Sequence, residues 1–224
     1  MLFDTGKGNK KRLLNITALA EELTQKYCSA LLSLHAFSGC NTTSAFKGKG
    51  KVKPLKTMLE KPKFVDTFAE LGETWEVTDK RLNEVEDFTC AIYRRQRFHK
   101  VDNLRYHLLK EICKDEISAK LNIDLAAFPP FHKSLKQPAF RANYQAAIWK
   151  RAHEPLPVIP NPTEGHGWVL SDGILEPLWT EEKEERVLPQ AAIDSLLDDL
   201  PDDEDEESML ENDESLVSDE SEDD

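Results

Sequence analysis

The chain contains 224 residues, 39% of them hydrophobic, and carries a formal net charge of −13. This length is sufficient for one domain with a sizeable core and an additional tail. No apolar run approaches the roughly 20 residues that a membrane span requires, and the first residues lack the basic and apolar regions of a secretory signal. We therefore expect an intracellular protein without a membrane partner, with the nucleus as one option for its location.

Charge is distributed unevenly along the chain. Residues 1–153 contain 27 Lys and Arg against 17 Asp and Glu, whereas residues 154–224 contain 2 against 25. The acidic total therefore says little about the surface that the first part presents. A basic body leaves nucleic acid open as a partner, and an acidic tail could bind basic proteins.

The four cysteines do not form a recognisable framework. Cys28, Cys40, Cys90 and Cys113 lie far apart without a CxxC pair, which favours reduced, mostly buried thiols over disulfides or a zinc module. His35 lies between Cys28 and Cys40, but a structural zinc site normally needs four ligands in close pairs. We therefore expect no metal there.

The amino-terminal residues predict two strands and a helix. Apolar residues before and after a Gly- and Lys-containing turn, around Phe3 and Leu13, are typical of two strands joined by a loop. Asn15 or Thr17 can cap a helix whose apolar residues recur at helical spacing from Ile16 to Leu34. We expect this single helix to end near Gly39 and to carry Cys28 inward.

Further helical patterns follow. Val52, Leu55, Met58 and Leu59 predict a second helix with Pro54 in or near its first turn. A third, from Lys63 to Leu71, is stopped by Gly72. Longer patterns predict three more helices, which cover Leu82 to Tyr93, Val101 to Ile117 and Leu135 to His153.

The remaining residues predict little packed structure. Prolines 155, 157, 160 and 162 make an extended stretch, and the segment WVLSDGILEPLW predicts two short strands around a Ser171-Asp172-Gly173 turn. A helical fragment from Pro189 to Leu200 precedes an acidic segment that cannot bury enough apolar surface to be ordered. We divide the chain into residues 1–153, 154–188 and 189–224.

The most informative segment runs from Leu34 to Leu59. Two glycines let the backbone approach a phosphate closely, amides at the following helix start point outward as donors, and lysines at alternate positions supply charge. The same composition is typical of a solvated loop, but the apolar helical patterns on both sides favour phosphate binding. The predicted nucleic-acid-binding residues are Lys47, Gly48, Lys49, Gly50, Lys51 and Lys53.

This segment resembles part of a known nuclease class. The GCN at 39–41, the Gly48-Lys49-Gly50 turn and the apolar helix after it resemble the GCD…GxGxxxAL segment of flap endonucleases and XPG-type structure-specific nucleases. In that class the segment is a hairpin between helices that grips the DNA backbone, often with a monovalent cation at its carbonyls. The stretches LHAFSGCNTTSAFKGKGK and RANYQAAIWKRAHEPLPVIPNPTEGHGW also resemble PIN-like open reading frames of transposon character in animal genomes.

The resemblance departs from the class where catalysis is concerned. The aspartate of GCD helps to hold two divalent ions in those nucleases, and the corresponding residue here is Asn41, which brings no negative charge. Before Gly39 the chain offers only Asp4, Glu21 and Glu22 as acidic residues. The chain resembles the carboxyl-terminal part of such a nuclease, so enzymatic activity is left open. We expect no cofactor, with Mg²⁺ or Mn²⁺ required only if nuclease activity survives.

Two further patterns have competing interpretations. The basic and aromatic residues between Arg141 and Arg151 could stack on bases, but the spacing of Tyr144, Ile148 and Arg151 favours ordinary core packing. The acidic tail is typical of a solvated segment, and it could also compete with DNA for the basic loop.

Together these patterns predict a mainly α protein. The fold class is an incomplete PIN-like α/β domain with a helix-hairpin-helix element, a small β-hairpin and a disordered acidic tail. The predicted function is sequence-independent binding of a nucleic-acid backbone, with DNA favoured over RNA, by a degenerate or truncated structure-specific nuclease domain. The alternative is a non-catalytic protein-interaction remnant whose acidic tail binds basic partners such as histones.

Overall fold

The computed structural model describes residues 1–93, 97–115 and 125–179, without the side chains of residues 112–115 and 125. This part of the chain contains seven α-helices and two pairs of antiparallel strands, so the mainly α prediction is confirmed. No helix within these ranges is both long and apolar enough to cross a membrane.

The chain begins with a β-hairpin, as predicted. Strand β1 (Leu2–Thr5) pairs with β2 (Arg12–Asn15), so that Leu2 lies opposite Asn15 and Thr5 opposite Arg12. A turn of 3₁₀ helix, Gly8–Lys10, lies between the strands. None of the hairpin residues is buried, so the hairpin stands outside the hydrophobic core.

The predicted single helix after the hairpin is wrong, because the structure has two. Asn15 caps α1 (Ile16–Glu22) by accepting a hydrogen bond from Ala18 N–H at 3.1 Å, as predicted. Helix α1 then stops, and the Thr24 hydroxyl accepts the N–H of Tyr27 to start α2 (Gln25–Phe37). Cys28, predicted to point inward, is only partly buried.

The later helices lie where the apolar patterns predicted them. The Thr78 side chain caps the helix that begins at Asp79. Ile117, which was predicted to share a helix with Val101, falls outside the described residues. The helices are α3 (Val52–Glu60), α4 (Pro62–Glu70), α5 (Asp79–Ile92), α6 (Val101–Asp115) and α7 (His132–Lys150).

An aromatic cluster lies in the core where α2, α4 and α5 meet. Phe68 and Phe88 meet edge to face with ring centroids 4.6 Å apart. Phe37 packs against both of these rings, and Phe64 packs against Phe88. Each of the four rings is at most 2% exposed. Burying such a side chain contributes about 2 to 3 kcal/mol, so this cluster accounts for a large share of the apolar stabilisation.

A buried carboxylate joins three helices. Glu86 of α5 is 1% exposed, and its Oε1 accepts the N–H of Val101 at 3.0 Å, the first residue of α6. Its Oε2 lies 2.9 Å from Lys100 Nζ and 3.1 Å from Nδ1 of His132, the first residue of α7. The carboxylate therefore fixes the starts of two helices against a third.

The described chain ends with a second hairpin, also as predicted. Strand β3 (Trp168–Ser171) pairs with β4 (Ile174–Pro177). Asp172 and Gly173 form the turn between them, with φ angles of 49° and 78°. Two consecutive positive φ angles are typical of the primed turns that match the twist of hairpin strands. The predicted helical fragment from Pro189 to Leu200 and the acidic tail lie outside the described residues.

Candidate nucleic-acid interface

The loop between α2 and α3 and the first turn of α3 contain the six residues that the sequence predicts for nucleic-acid binding, with Lys53 on the helix and the other five on the loop. Its first part is fastened to the end of α2. The Thr43 hydroxyl donates to the carbonyl of Ala36 at 2.6 Å and accepts from the N–H of Cys40 at 3.0 Å. Gly39 has a φ of 104°, and a Cβ there would lie 2.5 Å from the Cβ of Ala45. The chain therefore turns back sharply before it reaches the lysines.

The glycine turn projects into solvent. Phe46 packs against Phe37 with ring centroids 5.4 Å apart, and the N–H of Lys49 donates to the Phe46 carbonyl at 3.1 Å. Gly48 and Gly50, with φ angles of 70° and 56°, are exposed, and a Cβ on either would meet no heavy atom within 4 Å. Phe46 thus anchors the loop, while the backbone beyond it stays open to a ligand.

The start of α3 offers a favourable place for an anion. Lys51, at the N-cap position, makes no side-chain capping bond, and the first turn contains no acidic residue. Pro54 has no N–H, so the amides of the first turn belong to Val52 and Lys53. Val52 is 65% exposed, and the helix dipole places partial positive charge at this end.

The ammonium of Lys51 is directed back towards the end of α2. Its Nζ donates to the His35 carbonyl at 2.8 Å, to the Ser38 hydroxyl at 3.1 Å and to the Gly39 carbonyl. An ammonium has three N–H donors, so these acceptors use all of them. A phosphate contact through Lys51 would require it to leave the end of α2.

The other lysines occupy different environments. Lys49 is half-buried, with its Nζ 3.8 Å from the ring centroid of Tyr93, so a cation–π contact ties the turn to the end of α5. Burial raises the pKa of Tyr93 to about 12. Lys47 is exposed, and Lys53 is half-buried at the start of α3. The structure therefore brings the predicted lysines to one loop and the adjoining helix start but does not make them equivalent.

Two titratable groups beneath the loop have shifted pKa values. Burial, followed by the nearby charge of Lys51, lowers the pKa of His35, which favours its neutral form at pH 7. Burial alone would raise the pKa of the Cys40 thiol, but the hydroxyls of Thr42 and Thr43, each 3.2 Å from Sγ, outweigh it and lower the pKa. Desolvation lowers the pKa of Lys51, and Cys40 opposes that shift.

The residues considered for metal binding lie apart. Asn41 is exposed on the loop, whereas Asp4 lies on β1 and Glu21 and Glu22 lie at the exposed end of α1. Within the described ranges, no three His, Cys, Asp or Glu side chains converge closely enough to hold a metal ion. The prediction about nuclease activity is left untested by this arrangement.

Arg141 and Tyr144 of α7 are buried, as the sequence favoured, whereas Trp149, Lys150 and Arg151 at its end are half-buried. Arg141 is 1% exposed and donates to the carbonyls of Gly167 at 2.9 Å and Leu178 at 2.6 Å. Asn143 accepts the N–H of Gly72 at 2.8 Å. Arg151 donates to the carbonyl of Gly72 at 3.0 Å. These three side chains therefore hold loops against the core.

Comparisons with protein-family models, with curated proteins and with solved structures found no match to this chain.

Proposed function

We propose that this chain binds a nucleic-acid backbone, without sequence preference, through the loop of residues 47–53 and the start of α3. One observation carries the proposal: two exposed glycines with positive φ angles lie directly before an uncapped helix start, among several lysines. In this view α2, the loop and α3 form a helix-hairpin-helix element of a degenerate or truncated PIN-like nuclease domain. DNA is the favoured ligand.

The two glycines give a phosphate group access to the backbone of the loop. A phosphodiester can reach main-chain N–H groups only where side chains leave room, and the space around Gly48 and Gly50 is open. The amides of Val52 and Lys53 add donors at the positive end of α3. Because all of these groups would contact phosphate and none would contact a base edge, the binding is independent of sequence.

The lysines contribute long-range attraction. Lys47 and Lys53 flank the glycine turn, and each phosphate that a lysine neutralises releases condensed counterions from the nucleic acid. Lys51 holds the loop against the end of α2 through hydrogen bonds to His35 and Ser38. We therefore assign Lys51 a positioning role. We assign the phosphate contacts to the turn amides and to Lys47 and Lys53 because these two lysines flank the exposed glycines on either side.

Fluorescence anisotropy with a labelled DNA duplex at several salt concentrations tests the proposal. Replacing Lys47 and Lys53 together by glutamine should lower the slope of log affinity against log salt by about 1.8, because each lost phosphate contact removes about 0.9. The matched control replaces Lys26 and Lys80 by glutamine. These lysines lie on other helices and pair with Asp66 and Glu84, so the control removes the same charge elsewhere. Equal slopes for the two double variants would refute the proposed site.

The enzymatic question needs a separate assay. Incubation of the chain with flap and duplex DNA in Mg²⁺ or Mn²⁺ should give no cleavage if the domain is degenerate. Metal-dependent cleavage that disappears in an Asp4→Ala variant would instead assign the chain a nuclease activity with Asp4 in its centre.

The alternative function, a protein-interaction remnant, depends on the acidic segment within residues 180–224, which lies outside the described residues. It stays a prediction. Binding of histones together with no affinity for DNA at low salt would favour it over the function proposed above.

A further inference from the structure

The tip of the first hairpin forms a second basic surface that sequence reasoning did not include among the binding residues. A concavity of about 630 Å³ opens between the end of β1 and the start of β2, and the 3₁₀ turn forms part of its wall. We call this surface the hairpin tip. It is lined by Thr5, Gly6, Lys7, Lys10, Lys11 and Arg12.

The shape of the hairpin tip depends on one glycine. Gly6 has a φ of 91°, and a Cβ there would lie 2.1 Å from the carbonyl oxygen of Lys10. The N–H of Lys10 donates to the Lys7 carbonyl at 3.1 Å, which closes the turn. This tight turn brings four cationic residues of a six-residue stretch around one concavity.

The positive charge of the hairpin tip is not neutralised within the described part of the chain. No ion pair between described residues involves Lys7, Lys10, Lys11 or Arg12. The nearest carboxylate in sequence is that of Asp4, which pairs with Leu13 in the strand register. Since side chains alternate across a strand, Asp4 points to the face of the ribbon opposite Thr5 and Arg12.

These features fit a polyanion with regularly spaced phosphates. Arg12 can donate two parallel hydrogen bonds to one phosphate, and the three lysines can act as point charges on its neighbours. A lipid surface fits less well, because the exposed apolar side chains of the hairpin lie on both of its faces. Leu13 shares a face with Asp4, whereas Phe3 shares the other with Arg12. A flat membrane could not bury both sets together.

We propose that the hairpin tip is a second contact surface for the nucleic-acid backbone, which makes the interface bipartite. This inference rests on the function proposed above and adds a separate site to it. The two surfaces lie in different elements of the fold, so each can be altered without changing the other's residues. Their electrostatic contributions should add.

The test uses the full-length chain and the same anisotropy titration. The hairpin variant replaces Lys10 and Lys11 by glutamine. The loop variant replaces Lys47 and Lys53, and the control replaces Lys26 and Lys80. The hairpin variant should lower the slope of log affinity against log salt by about 1.8. When the salt concentration rises from about 50 to about 200 mM, the factor by which its affinity falls should therefore be about 12 times smaller than for the unaltered chain. A Gly6→Ala variant keeps every charge but cannot keep the turn, and it should also weaken binding at low salt.

The outcomes separate the two proposals. If the loop variant changes the slope and the hairpin variant behaves like the control, the hairpin inference is wrong and the proposed function stands. The reverse result would retain the hairpin tip and refute the loop. Absence of DNA binding by the unaltered chain would refute both. Sedimentation with phosphatidylserine vesicles tests binding to lipid. If the hairpin variant loses vesicle binding but keeps its DNA binding, the hairpin tip is a lipid contact and the inference is wrong.

Discussion

Replacing Lys51 by glutamine should destabilise the protein more than removing any other exposed lysine charge near the loop. The Lys51 ammonium donates to the carbonyls of His35 and Gly39 and to the hydroxyl of Ser38, at the end of α2. A hydrogen bond from a charged donor is worth more than a neutral one when buried, but Lys51 is exposed, so we assign about 0.5 kcal/mol to each. The three bonds then contribute about 1.5 kcal/mol. For a chain of this size that loss lowers the melting temperature by about 3 to 6 °C.

Lys56 provides the matched control. It lies exposed on α3, five positions further along the chain, and none of the described contacts involves its side chain. A Lys56→Gln variant removes the same charge five positions further along without removing a described hydrogen bond. Its free energy of unfolding in urea should stay within about 0.5 kcal/mol of the unaltered chain.

DNA binding by the same two variants tests the reasoning from another side. Because all three donors of Lys51 are engaged, its replacement should reduce the salt slope by clearly less than the 0.9 or so expected for a phosphate ligand. A Lys51→Gln variant that unfolds like Lys56→Gln and yet loses a full phosphate contact would contradict the positioning role of Lys51. In that case Lys51 would leave the end of α2 to bind the ligand.

Two further predictions concern titratable groups elsewhere. Burial alone would raise the pKa of Asp87, but hydrogen bonds from Lys63 and His99 outweigh it and lower the pKa. The stabilisation is therefore present above the unfolded pKa and lost as pH falls through the folded one, so Asp87→Asn should cost about 1 kcal/mol at pH 7 and progressively less as the pH falls below the unfolded value of 3.8, measured by urea unfolding. Burial raises the pKa of the Cys90 thiol to about 12, whereas that of Cys40 is lowered. A short iodoacetamide pulse at pH 8, read by peptide mass spectrometry, should label Cys40 in the folded protein and Cys90 only after unfolding, and equal labelling of both would contradict the described burial.

Local signals made much of the fold predictable. Asn15 caps α1 and the Asp172-Gly173 pair forms the second hairpin turn because the responsible contacts lie within four residues. The break between α1 and α2 was missed because the apolar spacing continues through it. Only the hydroxyl of Thr24 marks the new start, and threonine also occurs inside helices.

Contacts between distant residues could not be predicted in the same way. The lysines of the candidate interface have the same sequence pattern, but Lys51 meets acceptors 12 to 16 positions earlier in the chain and Lys49 meets Tyr93. Arg141 finds its acceptors at Gly167 and Leu178. The exposed position of the glycine turn, by contrast, follows from its composition, since glycine and lysine have little apolar surface to bury.

The clamp that Arg141 makes on the second hairpin has a practical consequence. One guanidinium holds the carbonyls of Gly167 and Leu178, and the N–H of Leu178 donates to the Gly167 carbonyl at 2.9 Å, so both legs are fixed at their base. The Asp172-Gly173 tip lies at the far end and is exposed. An affinity epitope or fluorophore inserted at that tip would sit on a hairpin whose base is fixed to α7, and the insertion would change no residue of either basic surface.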